Sequence, residues 1–196
     1  RQDWLDPLAD RVQGAVRAAF EAGGPTGKKV QNALHGTWLG HPLHSALTDV
    51  PLGAWTSAVV MDALEDVTGD DAFGKGADAA IAIGLAGAVA SAAAGITDWH
   101  ATDGRARKLG LAHGLLNVAG TLLFTASAVT RKRGSRTAGR GFSTLGFLVA
   151  MGSAYLGGKL VYDEQIGVDH TIGQQFPREY VPVIADSDLR EENSSG

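Results

Sequence analysis

The stretch Ala79-Ala80-Ile81-Ala82-Ile83-Gly84-Leu85-Ala86-Gly87-Ala88-Val89-Ala90-Ser91-Ala92-Ala93-Ala94-Gly95-Ile96-Thr97 contains no charged side chain. A helix of a soluble bundle needs a polar outer face, and this stretch offers none. Leu115 to Thr130 is equally uncharged. Both are close to the roughly 20 residues that carry a helix through a hydrocarbon core of ~30 Å. Working outward, four apolar runs emerge: 43–64, 77–99, 109–130 and 141–162. Short connections between them predict an all-α, four-transmembrane-helix antiparallel bundle running up-down-up-down. Pro51 is expected to bend the first helix. Gly87, Ser91 and Gly95 recur every fourth position in the second, a stripe along which another helix or a flat ligand can approach closely.

The flanks read differently. Residues 1–34 form an amphipathic N-terminal arm. Its main helix spans about 6–24, with Asp6 as N-cap, Pro7 at the first helical position and Gly23-Gly24-Pro25 as the stop. Trp4, Leu5, Leu8, Val12, Val16 and Phe20 fall on one side, which fits a helix lying on the membrane surface or docking on a partner. A shorter piece follows over about 28–34. Residues 35–165 make the four-helix membrane domain, and 166–196 an extended polar tail or linker. Mean hydropathy is +0.00 because polar ends offset the apolar middle. A net charge of −4 and the lack of an aromatic-interleaved basic stripe argue against nucleic-acid partners. The absence of cysteine excludes disulfides, a thiol nucleophile and thiolate-held zinc or iron–sulfur clusters within the chain. Arg1-Gln2-Asp3-Trp4 does not read as a secretory leader, so insertion is expected to rest on the first apolar run.

Antiparallel helices sort the six histidines. His41 and His44 open the first long helix, Asp98 and His100 close the second, His113 lies early in the third, and His170 follows the fourth. With His35, all belong to one end of the bundle. The opposite end carries the basic loop Arg131-Lys132-Arg133-Gly134-Ser135-Arg136 through Arg140. That loop places its own side in the cytoplasm and the histidine-rich face outside, in a bacterial inner membrane. His41 and His44, three apart, share a face if the helix has begun by then, and His113 and Asn117 pair on the third helix. His44 opposite His113 makes a natural pair of axial ligands for a b-type haem. Gly110, Gly114 and Gly120 are expected to leave room for the macrocycle, with Asp49 and Asp98 holding the second ring nitrogens. His41, His44, Asp49, Asp98, His100 and His113 equally suit a zinc, iron or copper ion. The plain readings are caps and interhelical hydrogen bonds: His41 as a helix cap, His100 as an interfacial anchor, and His44–Asp98 or His113–Asp49 bonds fixing register. At the far end Asp62 and Asp78 read as interfacial caps, and Lys159 as a snorkelling cation.

The run Leu34-His35-Gly36-Thr37-Trp38-Leu39-Gly40-His41-Pro42-Leu43-His44-Ser45-Ala46-Leu47-Thr48-Asp49-Val50-Pro51-Leu52-Gly53-Ala54-Trp55 resembles a family of bacterial four-helix membrane proteins of uncharacterised function. Ile96-Thr97-Asp98-Trp99 and Ala112-His113-Gly114-Leu115-Leu116-Asn117 carry the same resemblance, which covers about residues 30–170. Members of that family are often fused to a C-terminal Rieske iron–sulfur domain. Tyr180-Val181-Pro182-Val183-Ile184-Ala185-Asp186-Ser187-Asp188-Leu189 is similar to the entry into such a domain, but the cysteine and histidine pairs do not follow. The resemblance implies a membrane redox context, in which the chain is either a truncated form of the fused protein or works with a Rieske or other redox protein as a separate subunit.

The resulting expectation is an integral membrane subunit that binds haem b near one face and passes electrons between the quinone pool and a redox partner. Alternatives are a non-haem metal protein and a cofactor-free anchor of a larger complex. Membrane lipid is the partner common to all three, and oligomerisation is left open. No Ser-His-Asp set, phosphate loop or carboxylate pair points to an enzyme.

Overall fold

The computed structural model describes residues 3–166, and everything there is helix, turn or loop. A 3-10 turn over Asp3–Leu5 leads into α1, Asp6–Ala22, and α2, Gly24–His35. The bundle follows as α3, Leu43–Thr68, α4, Asp71–Trp99, α5, Gly104–Lys132, and α6, Arg136–Tyr162. The expected tail and His170 lie outside the described residues.

The four long helices overrun the apolar runs at both ends, so the connections between them shrink to a few residues. Gly69, in the left-handed conformation at φ 71°, ends α3, and Asp70 caps α4 by accepting from the Ala72 N–H at 2.9 Å. Helices α4, α5 and α6 are long and apolar enough to cross a membrane. Helix α3 has the length, 26 residues, but is interrupted by Asp49, Asp62, Glu65 and Asp66. Composition therefore establishes three spanning candidates rather than the four expected from the sequence.

Packing is closest within two hairpins, α3 with α4 and α5 with α6, which face each other across the bundle. Their interiors match position for position. His44, Trp55 and Asp62 on α3 have the spacing of His113, Phe124 and Arg131 on α5. Gly84, Ser91 and Gly95 on α4 have the spacing of Gly146, Ser153 and Gly157 on α6. The contacts match too. A Cβ at Gly84 would meet Trp55 and one at Gly146 would meet Phe124, while Gly95 and Gly157 seat His44 and His113. Such parallel repeats recur in membrane bundles whose halves are related about the bundle axis. At mid-bundle Trp55 stacks on Phe124, centroids 4.1 Å apart and planes 9° apart. Together with Ala58, Ala77, Ile81 and Ala150 they form the core.

The arm docks on its own bundle. Leu5 and Ala9 pack against Leu111 and Trp99, and Gln13 Nε2 donates to the Thr102 and Trp99 carbonyls at 2.9 and 3.2 Å. Asp6 is the first helical residue rather than a side-chain cap, and its carboxylate meets Lys108 at 3.0 Å and Arg107 at 3.4 Å. The docked stripe runs through Leu5, Ala9 and Gln13, so Trp4 (72% exposed) and Leu8 are left facing outward.

Candidate functional site

Three layers of polar or aromatic side chains lie along the bundle, and the histidine layer is the one with ligand chemistry. Helix α3 starts only at Leu43, behind Pro42 as N-cap. His41 therefore sits in the preceding loop, exposed, and does not share a helical face with His44. His44 and His113 do meet across the bundle. Their ring centroids are 6.3 Å apart and their planes stand at 85°.

Each imidazole is oriented by the same device. His44 Nδ1 donates to the Ser91 carbonyl at 2.9 Å, and His113 Nδ1 donates to the Ser153 carbonyl at 2.8 Å. The serine hydroxyls stand 3.2 and 3.0 Å from the same nitrogens. With Nδ1 carrying the proton, each Nε2 keeps its lone pair, which is the tautomer a metal ligand needs. Asn117 Nδ2 donates to His113 Nε2 at 3.0 Å. A helix of 29 residues is about 43 Å long, so an α5 centred on a hydrocarbon core of ~30 Å would carry His113 roughly 7 Å inside it. Imidazoles at that depth require partners, and serines on the neighbouring helices supply them. Asp49 does not, being exposed.

Small residues make the seats. A Cβ at Gly95 would come within 2.7 Å of His44 Cε1 and Nδ1, and one at Gly157 within 3.1 Å of His113 Cε1. Gly95→Ala should therefore dislodge the His44 ring, while Gly157→Ala should be accommodated by a shift of a few tenths of an ångström. Thermal scanning in detergent should show a loss of roughly 1–3 kcal/mol for the first and less than half of that for the second. Of the glycines expected to clear space for a macrocycle, two are packed against neighbours and one opens on free space. Gly110 receives Trp99, Gly120 lies close to the Gly146 carbonyl on α6, and Gly114 meets nothing within 4 Å.

Asp98 and His100 belong to a separate cluster at the bundle rim. His35 Nδ1 bonds Asp98 Oδ1 at 2.6 Å, and His100 Nδ1 donates to the Thr97 carbonyl at 2.6 Å. His100 Nε2 faces Gln31 Nε2 at 3.5 Å, and its ring centroid lies 6.4 Å from that of His35. The set His41, His44, Asp49, Asp98, His100 and His113 is thus split between two clusters and open surface. Among the described residues, no three histidine or carboxylate side chains converge as a metal would require.

The far end overturns a second expectation. Asp62 and Asp78 are not interfacial caps. Arg131, its side chain only 3% exposed, forks onto Asp62 through both terminal nitrogens and reaches Asp78 at 3.1 Å and the Ser143 hydroxyl at 3.1 Å. Arg136 bridges Glu65 at 2.9 Å and Asp78 at 3.2 Å, and Arg140 bonds Glu65 at 2.5 Å and also Asp66. Three of the basic-loop cations are therefore committed to carboxylates on α3 and α4. Lys159, expected to snorkel, pairs with Asp163 at 3.1 Å.

Residues 40–170 match the family model described as a predicted membrane protein, DUF2231. The chain belongs to the DUF2231 family. The match begins at Gly40, just before the paired-histidine helix, and spans both hairpins, so the site lies wholly within the family's domain. No curated protein and no solved structure matches the chain.

Proposed function

We propose that this DUF2231 chain is a membrane-embedded redox subunit whose His44 and His113 hold a b-type haem near one membrane face. The observation that carries the reading is the facing pair itself, two imidazoles on different helices with both Nδ1 atoms bonded to backbone carbonyls. An iron bonded at ~2 Å to each of two imidazoles holds their ring centroids about 6 Å apart, by the metal–nitrogen distances usual for histidine. The separation here is 6.3 Å.

Donor count supports haem over a bare ion. A porphyrin supplies four of six ligands and asks the protein for two, whereas zinc or copper asks for three or four. At this layer two imidazoles meet, and the side chains that contact them are the Ser91 and Ser153 hydroxyls at Nδ1 and the Asn117 amide at Nε2 of His113, with no third histidine and no carboxylate among the described residues. When Nε2 of His113 ligates, the Asn117 bond must yield. Bound at this layer, the haem would supply one-electron chemistry. The protein's part is to fix both imidazoles and keep water away.

The proposal takes α3 as a fourth span, because its carboxylates at 62, 65 and 66 are matched by arginines from α5 and α6 at one end. It places the chain in the bacterial inner membrane with the histidine rim outside, on the strength of the loop 131–140. It also assigns the chain to transfer between the quinone pool and a Rieske or similar redox subunit.

A reduced-minus-oxidised spectrum of the full chain purified in mild detergent tests this. Expected are the sharp bands of a low-spin b-type haem, lost in His44→Ala and in His113→Ala. A second reading rests on a different observation: every Nδ1 of the pair already has a partner within the bundle, which suffices for a cofactor-free anchor. It predicts no pigment and no metal at stoichiometric level.

A further inference from the structure

Most cations of the bundle are paired, and those of the arm are not. In the bundle Lys75, Arg105, Arg107, Arg131, Arg136, Arg140 and Lys159 pair with carboxylates, whereas Lys132 and Arg133, at the basic-loop end, have no ion-pair partner among the described residues. On the arm Arg11, Arg17, Lys28 and Lys29 have no ion-pair partner among the described residues. Two of those four, Arg17 and Lys28, line a cavity of about 630 Å³ where α1 and α2 meet the end of α4. Phe20, Pro25 and Gln31 contribute to its wall, and His100, 8% exposed, forms part of it. With Nδ1 donating to Thr97, His100 keeps Nε2 on the side of Gln31.

We infer that this cavity binds the phosphate-bearing headgroup of an anionic phospholipid. The chemistry is that of a phosphate anion: two cations without ion-pair partners among the described residues and an amide at Gln31, gathered beside the start of α2 at Gly24-Pro25. The location selects a lipid over a soluble anion. Helix α4 is 29 residues, about 43 Å, so its end at Trp99 stands at headgroup level when the helix spans a ~30 Å core. Trp4 and Trp38, 72% and 68% exposed, lie on the two segments that flank the arm and suit the same interfacial depth. Glu21, also in the lining, works against the anion. The inference does not depend on haem.

Native mass spectrometry of the delipidated full chain, titrated with dioleoylphosphatidylglycerol, tests it. In Arg17→Gln/Lys28→Gln, retention of the lipid should weaken roughly 10- to 30-fold, the scale for removing two basic groups from an anionic surface. In Arg11→Gln/Lys29→Gln, which removes the same charge outside the cavity, it should change less than about twofold. Glu21→Gln should tighten binding. Equal losses in the two double variants would overturn the proposal in favour of diffuse surface charge. Equal retention of phosphatidylcholine or of an uncharged quinone would overturn the phosphate chemistry. Displacement by millimolar inorganic phosphate would overturn the lipid source.

Discussion

Arg131→Met should unfold the far end of the bundle and lower stability by about 3–5 kcal/mol, the cost of stranding a buried charge. Asp62, nearly buried, would keep only the Ser143 hydroxyl at 3.2 Å and Arg140 at 3.8 Å. The guanidinium also joins the two hairpins, since Arg131 on α5 holds α3 and α4 at once through Asp62 and Asp78. Losing it should separate the two hairpins at that end. Thermal scanning in detergent, with limited proteolysis at the 133–135 connection, reads both effects. Asp62→Asn should lose less, because Arg131 retains Asp78 and Ser143. The double variant Asp62→Leu/Arg131→Met should recover part of the loss, as replacing a buried pair by packed apolar groups often does.

Gly84→Ala is the second large effect. Its Cβ would lie 2.3 Å from Trp55 Cδ1 and Nε1, inside any allowed contact, and the indole cannot swing away because it is stacked on Phe124. Relief requires α3 and α4 to part or the stack to break, so roughly 2–3 kcal/mol should be lost. The equivalent Gly146→Ala meets Phe124 at 3.0 Å, a contact that a small shift relieves, and should cost under half as much. The asymmetry repeats at Gly95 and Gly157, so the first hairpin is the tighter of the two. Near-ultraviolet circular dichroism of the Trp55–Phe124 pair separates a broken stack from a displaced helix. Equal losses at 84 and 146 would contradict this packing account.

Much of the architecture is written in the sequence at the level of charge. The uncharged run from 79 to 97 leads directly to α4, and the one-ended distribution of His35, His44, His100 and His113 holds in the fold. What could not be read there is partner choice. Composition gives a carboxylate at 98 and another at 49 as natural acceptors for the imidazoles. Helix register instead sends Asp98 to His35 and leaves Asp49 exposed, while two serine carbonyls take the Nδ1 protons. Backbone acceptors leave no trace in a list of side chains.

A signal for Ser91 and Ser153 existed in the equal spacing of Gly84-Ser91-Gly95 and Gly146-Ser153-Gly157. It was masked by the differing residues between them. The loop 131–140 was legible as positive charge, but its role as a clasp was not. That role depends on α3 continuing to Thr68, past the end of its apolar run, which carries Glu65 and Asp66 to the arginines.

Low-temperature electron paramagnetic resonance of the oxidised full chain tests most directly whether His44 and His113 together would hold one haem. Imidazole planes at 85° would bring the d orbitals of an iron held between them close to degeneracy. The account therefore predicts a strongly anisotropic low-spin ferric signal, with its largest g value well above that of parallel bis-imidazole haems, and its loss in His113→Ala. A purified chain with no low-spin iron signal, or one whose signal survives loss of either histidine, would contradict it.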